Sequence, residues 1–353
     1  MTVKKRIWMI VISVVLFLTI SIAGFILLRA GLSSRIPATE KNSENRNVYF
    51  GQYPQTMVTD EQLIAKLNGL EVNWLSYGYY NGDGTMGSEK QSDYALYADV
   101  AFEGEKYRAV KFSEYRSHHT YGEPQVNWQS ERFELNRIYW FKFEPIEWVV
   151  LSEEENLLVS KMLLDAQPIN NIIYSKTPEL GLESKVFYKD AEFQTFATDY
   201  ATSDIRAWLN NDFFNTAFSV GEAQHIVESR LDNSVWNHRN SKYSSQSTTD
   251  KVFLLSFEEA KNPAYGFCAP AEKEDDLRTG YGTDYAFSQG LLCVSDSYRD
   301  GTMWWWLRSA SASERLNVAV NFHGSIHLTF DLPYAPDCTD SGIRPALRLD
   351  KNG

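Results

Sequence analysis

Five residues near the end of the chain have side chains suited to holding a ligand: Trp304, Trp305, Arg308, His323 and Arg344. The run Trp304-Trp305-Trp306-Leu307-Arg308 reads as a strand, so Trp304, Trp306 and Arg308 share one face and Trp305 takes the other. Flat aromatic faces stack on sugar rings, and Arg308 and Arg344 could grip an anion. The competing expectation is burial, with each arginine paired to a buried carboxylate such as Asp250 or Asp340. His323 and His327 have the four-residue spacing of a metal pair on a helix. Here, however, His323-Gly324 reads as a hairpin turn, where exposed histidines are the default. Asn81-Gly82-Asp83-Gly84-Thr85 sets oxygens at alternate positions, as a calcium loop does, but lacks the closing glutamate of an EF-hand. A glycine-rich turn is the simpler reading, so no cofactor is expected and calcium is the alternative.

Glu144 and Glu147, bracketing Pro145-Ile146, are the one suggestive carboxylate pair, whereas Glu153, Glu154 and Glu155 read as a solvated turn. Glycoside hydrolysis needs two carboxyls about 5–10 Å apart across a cleft, which sequence spacing does not establish. No Gly-x-Ser-x-Gly elbow, GxGxxG or P-loop occurs, so no catalytic residue is assigned. Cys268, Cys293 and Cys338 allow one disulfide at most and read as small buried apolar residues.

The elements that must position these residues begin with an anchor. Residues 7–28 carry no charge and are rich in Ile, Val, Leu and Phe. As a helix they would cover roughly 33 Å, enough to cross a bilayer core. The run is longer than the apolar part of a cleaved signal peptide and ends without a small-x-small site, so an uncleaved signal anchor is expected. Lys4, Lys5 and Arg6 precede it, which predicts a cytoplasmic tail at 1–6 and a single-pass protein of the cell membrane. Residues 29–47 are polar and read as a linker. Residues 48–353 then form one extracytoplasmic domain. The net charge of −12 (34 Lys+Arg, 46 Asp+Glu) repels a phosphate backbone, which excludes nucleic acid as a partner.

Within the domain, short strand-like runs mix with a few short helices. A helix over 60–68 carries Leu63, Ile64 and Leu67 on one face and stops at Gly69. Ser203 caps a second helix, while Ser219/Glu222 and Ser256/Glu259 form capping boxes. The Ser219 helix is expected to run to about Ser229. Strands are expected over 107–112, 138–143, 147–152, 156–162, 251–256, 303–309, 318–322 and 325–330, the last two as a hairpin. The pattern predicts an irregular α+β domain without βαβ alternation.

Several stretches are familiar as a set. They are VYFGQYPQ (48–55), YWFKFEPIEWVVL (139–151), LLVSKMLLD (157–165), SDIRAWLNNDFFNTAF (203–218), DKVFLLSFEEA (250–260), WWWLRSAS (304–311) and GIRPALRLD (342–350). Their order resembles the bacterial domain-of-unknown-function family six-two-seven-three over about 48–350, with residues 75–137 reading as an insertion. That family is similar in turn to the formylglycine-generating-enzyme group. The likeness lies in a late Trp-rich strand with Arg, a hairpin and a terminal Gly-x-Arg strand. It implies a C-type-lectin-like fold but no activity. The copper-holding cysteine pair of those enzymes is missing, since Cys338 stands alone near the C-terminus, and the six histidines form no iron-binding cluster.

The expected function is therefore a membrane-anchored surface protein. Its outer domain would bind glycan, cell wall or a protein partner without catalysis. The alternatives are an enzyme acting on envelope glycan or protein, and a structural part of a membrane assembly.

Overall fold

The computed structural model describes residues 47–77, 79–81, 90–92, 94–116, 128–176, 186–234, 243–291, 301–311, 316–327 and 335–351. Among them no helix is long and apolar enough to cross a membrane. The apolar run at 7–28, its linker and the glycine-rich loop after Asn81 lie outside them, as does Cys293.

The domain is a mixed α+β structure dominated by short strands. Its largest sheet is built around β5 (Ile138–Ser152), a single strand where the sequence suggested two. β1 (Asn47–Met57) runs antiparallel along one edge of β5, from Val149 down to Phe141. The other edge is shared in tandem. β4 (Glu105–Phe112) covers 138–142, and β6 (Leu157–Ser160) covers 148–152. Pro145 falls in the interval between these two ladders, where no backbone donor is needed on that edge. The sheet continues outward from β4 through β3 (Ala95–Phe102) to β2 (Leu75–Ser76). From β6 it continues through β15 (Ala346–Arg348) to β10 (Val252–Phe253).

A second sheet of five short strands carries the late sequence motifs in the order β7 (Asp165–Ala166), β14 (Gly342–Ile343), β11 (Trp305–Ala310), β12 (Asn317–Val320) and β13 (Ile326–His327). Two glycines make its turns and approaches feasible. Gly324 closes the β12–β13 hairpin at φ +78°, and a Cβ there would lie 2.0 Å from the Asp275 carbonyl. A Cβ on Gly342 would come within 2.5 Å of Leu163, which packs against this strand.

Capping chemistry sets the helices, at Ser203, Ser219 and Ser256 as the sequence predicts and at Asp60 in place of a helical first residue. Asp60 caps α1 (Glu61–Asn68), Ser203 caps α2 (Asp204–Trp208), and both capping boxes form, ahead of α3 (Val220–Ala223) and α4 (Phe257–Ala260). α3 is one turn rather than the ten residues expected. Its chain is taken over by a bridge from Ile226 to Leu349, so tertiary pairing ends the helix early. α1 lays Leu63, Ile64 and Leu67 against Ala98, Tyr107, Ala109 and Trp140 of the large sheet, making a small core of its own. The main core fills the space between the two sheets and the middle helices, and includes Trp148, Trp305, Trp306, Phe213 and Tyr285.

Candidate functional site

Most of the residues singled out for ligand binding are interior. Trp305 and Trp306 are fully buried, and Trp304 is 9% exposed. The Trp305 indole N–H donates to the Arg278 carbonyl at 2.9 Å, and that of Trp306 to the Gln167 carbonyl at 3.0 Å. Arg344 lies with its guanidinium carbon 5.1 Å from the Trp305 ring centre and donates to the carbonyls of Ser160, Leu277 and Arg278. Burial pushes its pKa down to about 10, against the attraction of Asp275. Arg308 donates to the Leu254 carbonyl and to Asn233, and pairs with Glu259 at 2.5 Å. Burial alone would raise the Glu259 carboxyl, but Arg308 outweighs it and holds the pKa below the ordinary glutamate value.

The expected partners of these arginines are engaged elsewhere. Asp250 pairs with Arg206 at 2.7 Å, and Asp340 accepts from the Cys338 thiol. The acceptor Glu259 is the third residue of a capping box, which also takes the Ser256 backbone N–H. Sequence reading found that box but not its tertiary partner.

The remaining candidates do not converge. His323 sits in the hairpin turn, 3.9 Å from Glu274 and against the Phe322 ring. His327 pairs with Ala319 along the ladder, so the two histidines are not cross-strand neighbours. Glu144 accepts from the Thr56 hydroxyl at 2.7 Å, while Glu147 binds Lys161 and Asn47. Among the described residues no group of three or more His, Cys, Asp or Glu is placed to hold a metal.

Two arrangements missed in the sequence stand out. The first is a buried carboxyl. Asp165 on β7 accepts from the Tyr53 hydroxyl at 2.7 Å, from the Gln167 amide at 3.0 Å and from the Ala166 N–H at 2.8 Å. Burial nevertheless outweighs these donors and pushes its pKa up to about 6. The native state therefore binds this proton more tightly than the unfolded chain does. The stability Asp165 contributes is full below about pH 4 and falls as pH rises through 6. Relative to Asp165→Asn, the wild-type urea midpoint should drop between pH 5 and pH 7.5. A constant difference between the two proteins across that range would contradict the assignment.

The second is a groove of about 600 Å³ where the end of β1, α1 and the start of β5 meet. Its apolar lining comes from the half-buried Met57, Ile64 and Ile138; Tyr139 and Trp140 border it but are buried and, as neighbours on β5, pack on opposite faces of the sheet. The Trp140 indole is fixed by donating to Asn68 at 2.8 Å, and Asn68 itself stands on the wall. The rim is polar and of mixed charge, with Glu61 and Arg137, and the Arg137 guanidinium carbon sits 5.2 Å from the Tyr139 ring centre. Such a surface suits an uncharged ligand with one apolar face and hydroxyl or amide edges. A sequence signal existed in the alternation of Ile138, Tyr139 and Trp140 beside Asn136-Arg137. The wall that turns it into a groove comes from α1, about seventy residues earlier.

Comparison with known proteins gives one match. The family described as Domain of unknown function (DUF6273) matches residues 157–351. No curated protein and no solved structure matches the chain. The matched segment contains the Trp–Arg strand, the hairpin and the terminal Gly-Ile-Arg strand, while the groove lies before it. On a match covering more than half its length, the chain belongs to the DUF6273 family of domains of unknown function.

Proposed function

We propose that the protein is a membrane-anchored surface protein whose outer domain binds a neutral glycan or cell-wall polymer without catalysis. The groove between β1, α1 and β5 carries this reading, because an aliphatic lining of Met57, Ile64 and Ile138 with a mixed-charge rim suits a sugar or peptide chain better than an ion. The C-type-lectin-like fold and the single-pass topology with an outward domain belong to the same proposal. Their support is the interlocked late motifs and the uncharged run at 7–28.

The test uses the full chain in a sugar-free detergent on immobilised glycans and cell-wall fragments. Saturable retention by at least one class is expected. Arg137→Ala removes a hydrogen-bond donor from the rim and should weaken retention by about fivefold, with little change in melting because Arg137 is exposed. If a cooperatively folded protein retains no glycan or cell-wall fragment and instead captures a membrane protein, the reading is wrong.

A further inference from the structure

Each residue of an antiparallel strand turns its N–H and C=O to one edge, and its neighbours turn theirs to the other. At the start of β5 the Val58 N–H donates to the Trp140 carbonyl at 2.8 Å, so Trp140 faces the β1 edge. Tyr139 therefore faces β4, and Ile138, opposite Lys111 at a non-hydrogen-bonded position of that ladder, faces the β1 edge again. By that point β1 is gone. It ends at Met57, opposite Phe141, and the chain leaves the sheet through Val58 and Thr59 to enter α1 at Glu61. Among the described residues no hydrogen bond satisfies the Ile138 N–H or carbonyl.

The groove is this vacated lane. Val58 and Thr59 line it where β1 departs, Ile64 and Asn68 line it from α1, and Ile138 lines it from β5. Asn136, at φ +63°, bends the chain before β5 begins and ends the open edge after one complete donor–acceptor pair. Strand edges occur elsewhere, as on the ribbon of β8 (Tyr174–Lys176) and β9 (Val186–Tyr188), but those strands contribute nothing to the groove's lining.

A donor and an acceptor side by side on a strand edge select what they bind. One residue of an extended peptide presents its own N–H and C=O to the same side, so it pairs with both. The trans acetamido group of a sugar points its N–H and C=O in opposite directions and meets one of them at a time. The rim adds charge complementarity. Glu61 and Arg137 answer the ammonium and carboxylate of a short peptide and find no counterpart on a neutral glycan; the exposed pairing of Arg137 with Glu134 is weak in water. Length decides the source. A protein strand added to a sheet, about 5–6 residues in the usual case, draws on a run of such pairs, whereas one pair suits a short peptide branch. We propose that the groove receives the short extended peptide of a peptide-bearing cell-wall polymer, laid antiparallel to β5 in the lane that β1 vacates. The inference rests on the groove as the glycan or cell-wall site and narrows its occupant.

The experiment titrates the full chain by calorimetry with a cell-wall disaccharide-pentapeptide, the free pentapeptide and the peptide-free disaccharide. Both peptide probes should bind at least tenfold tighter than the peptide-free disaccharide. Ile138→Pro deletes the N–H on the open edge and leaves the β4 ladder its bonds. It should bind the peptide probes about fivefold more weakly than Ile138→Ala, which trims the same side chain and keeps the N–H. Should the proline variant fail to fold, methylating the pentapeptide amides one at a time tests the same pair on the wild-type chain. Binding should then fall about tenfold at one position, and uniform tolerance overturns the proposal. Equal affinity for the disaccharide with and without its peptide also overturns it and leaves the glycan function standing. If the three probes fail while another glycan binds, the function stands and this inference falls. If no glycan or cell-wall fragment binds and the groove captures a protein segment instead, both fall.

Discussion

Arg278→Met should cost about 4 kcal/mol or more, enough to leave the domain unfolded or barely folded at room temperature. The Arg278 side chain is fully buried and donates to five backbone carbonyls, those of Ala260, Cys268, Pro270, Lys273 and Gly324. Four of these carbonyls lie in turns and coil, and the fifth, that of Ala260, ends α4, where helix carbonyls lack an intrahelical partner. One planar guanidinium with five N–H donors does the work a regular ladder does elsewhere. Methionine fills a similar volume but leaves several carbonyls dry and unpaired, at about 1–3 kcal/mol for each that water does not reach. It also removes the cation 3.7 Å from the Asp275 carboxylate, which then keeps only backbone N–H donors such as those of Cys268 and Leu277. Arg278→Lys keeps the charge but offers three donors in place of five, so it should recover only part of the loss. Chemical denaturation followed by far- and near-ultraviolet circular dichroism measures both variants. A methionine variant as stable as wild type would mean that the loop carbonyls find water.

Trp305→Ala is expected to lose about 3–5 kcal/mol. The indole is fully buried between the Arg344 guanidinium and the β11–β12 ladder, where Trp305 pairs with Val320. Its N–H is the donor to the Arg278 carbonyl, so truncation opens a large cavity and frees an acceptor that Arg344 also contacts. The residues Arg278, Trp305 and Arg344 form one interlocked unit, and losses at its members should not add. The double variant Trp305→Ala/Arg344→Met should therefore be less destabilised than the two single losses summed. A ligand affinity that fell with Trp305→Phe at unchanged stability would return Trp305 to a binding role.

Local elements were legible where neighbouring residues decide them. Ser203, Ser219 and Ser256 cap helices where their sequence context says they should, because a cap is satisfied within three residues. The His323-Gly324 turn was equally plain, since glycine alone tolerates that φ beside the Asp275 carbonyl. The helix after Ser219 was overextended because the Ile226–Leu349 bridge that stops it comes from the far end of the chain.

The site was harder to read. Tryptophan and arginine side by side describe a sugar-binding face and a buried cation–π stack equally well, and only burial separates them. Both arginines were expected to have carboxylate partners. Arg344 instead uses backbone carbonyls, which a sequence does not mark, and Arg308 uses a helix-capping glutamate. The groove needs α1 folded over β5, a long-range contact between residues about seventy positions apart.

The proposed glycan site is the groove under α1, whereas the Trp–Arg strand is buried and holds the fold. The most direct measurement is the dissociation constant of Thr59→Trp for whichever glycan or cell-wall fragment the wild-type chain retains. Thr59 stands exposed on the groove wall, so an indole there obstructs the cavity without entering a core. The account predicts affinity at least tenfold weaker with an unchanged melting temperature. Undiminished affinity in a folded Thr59→Trp protein would contradict it and move the binding surface elsewhere on the domain.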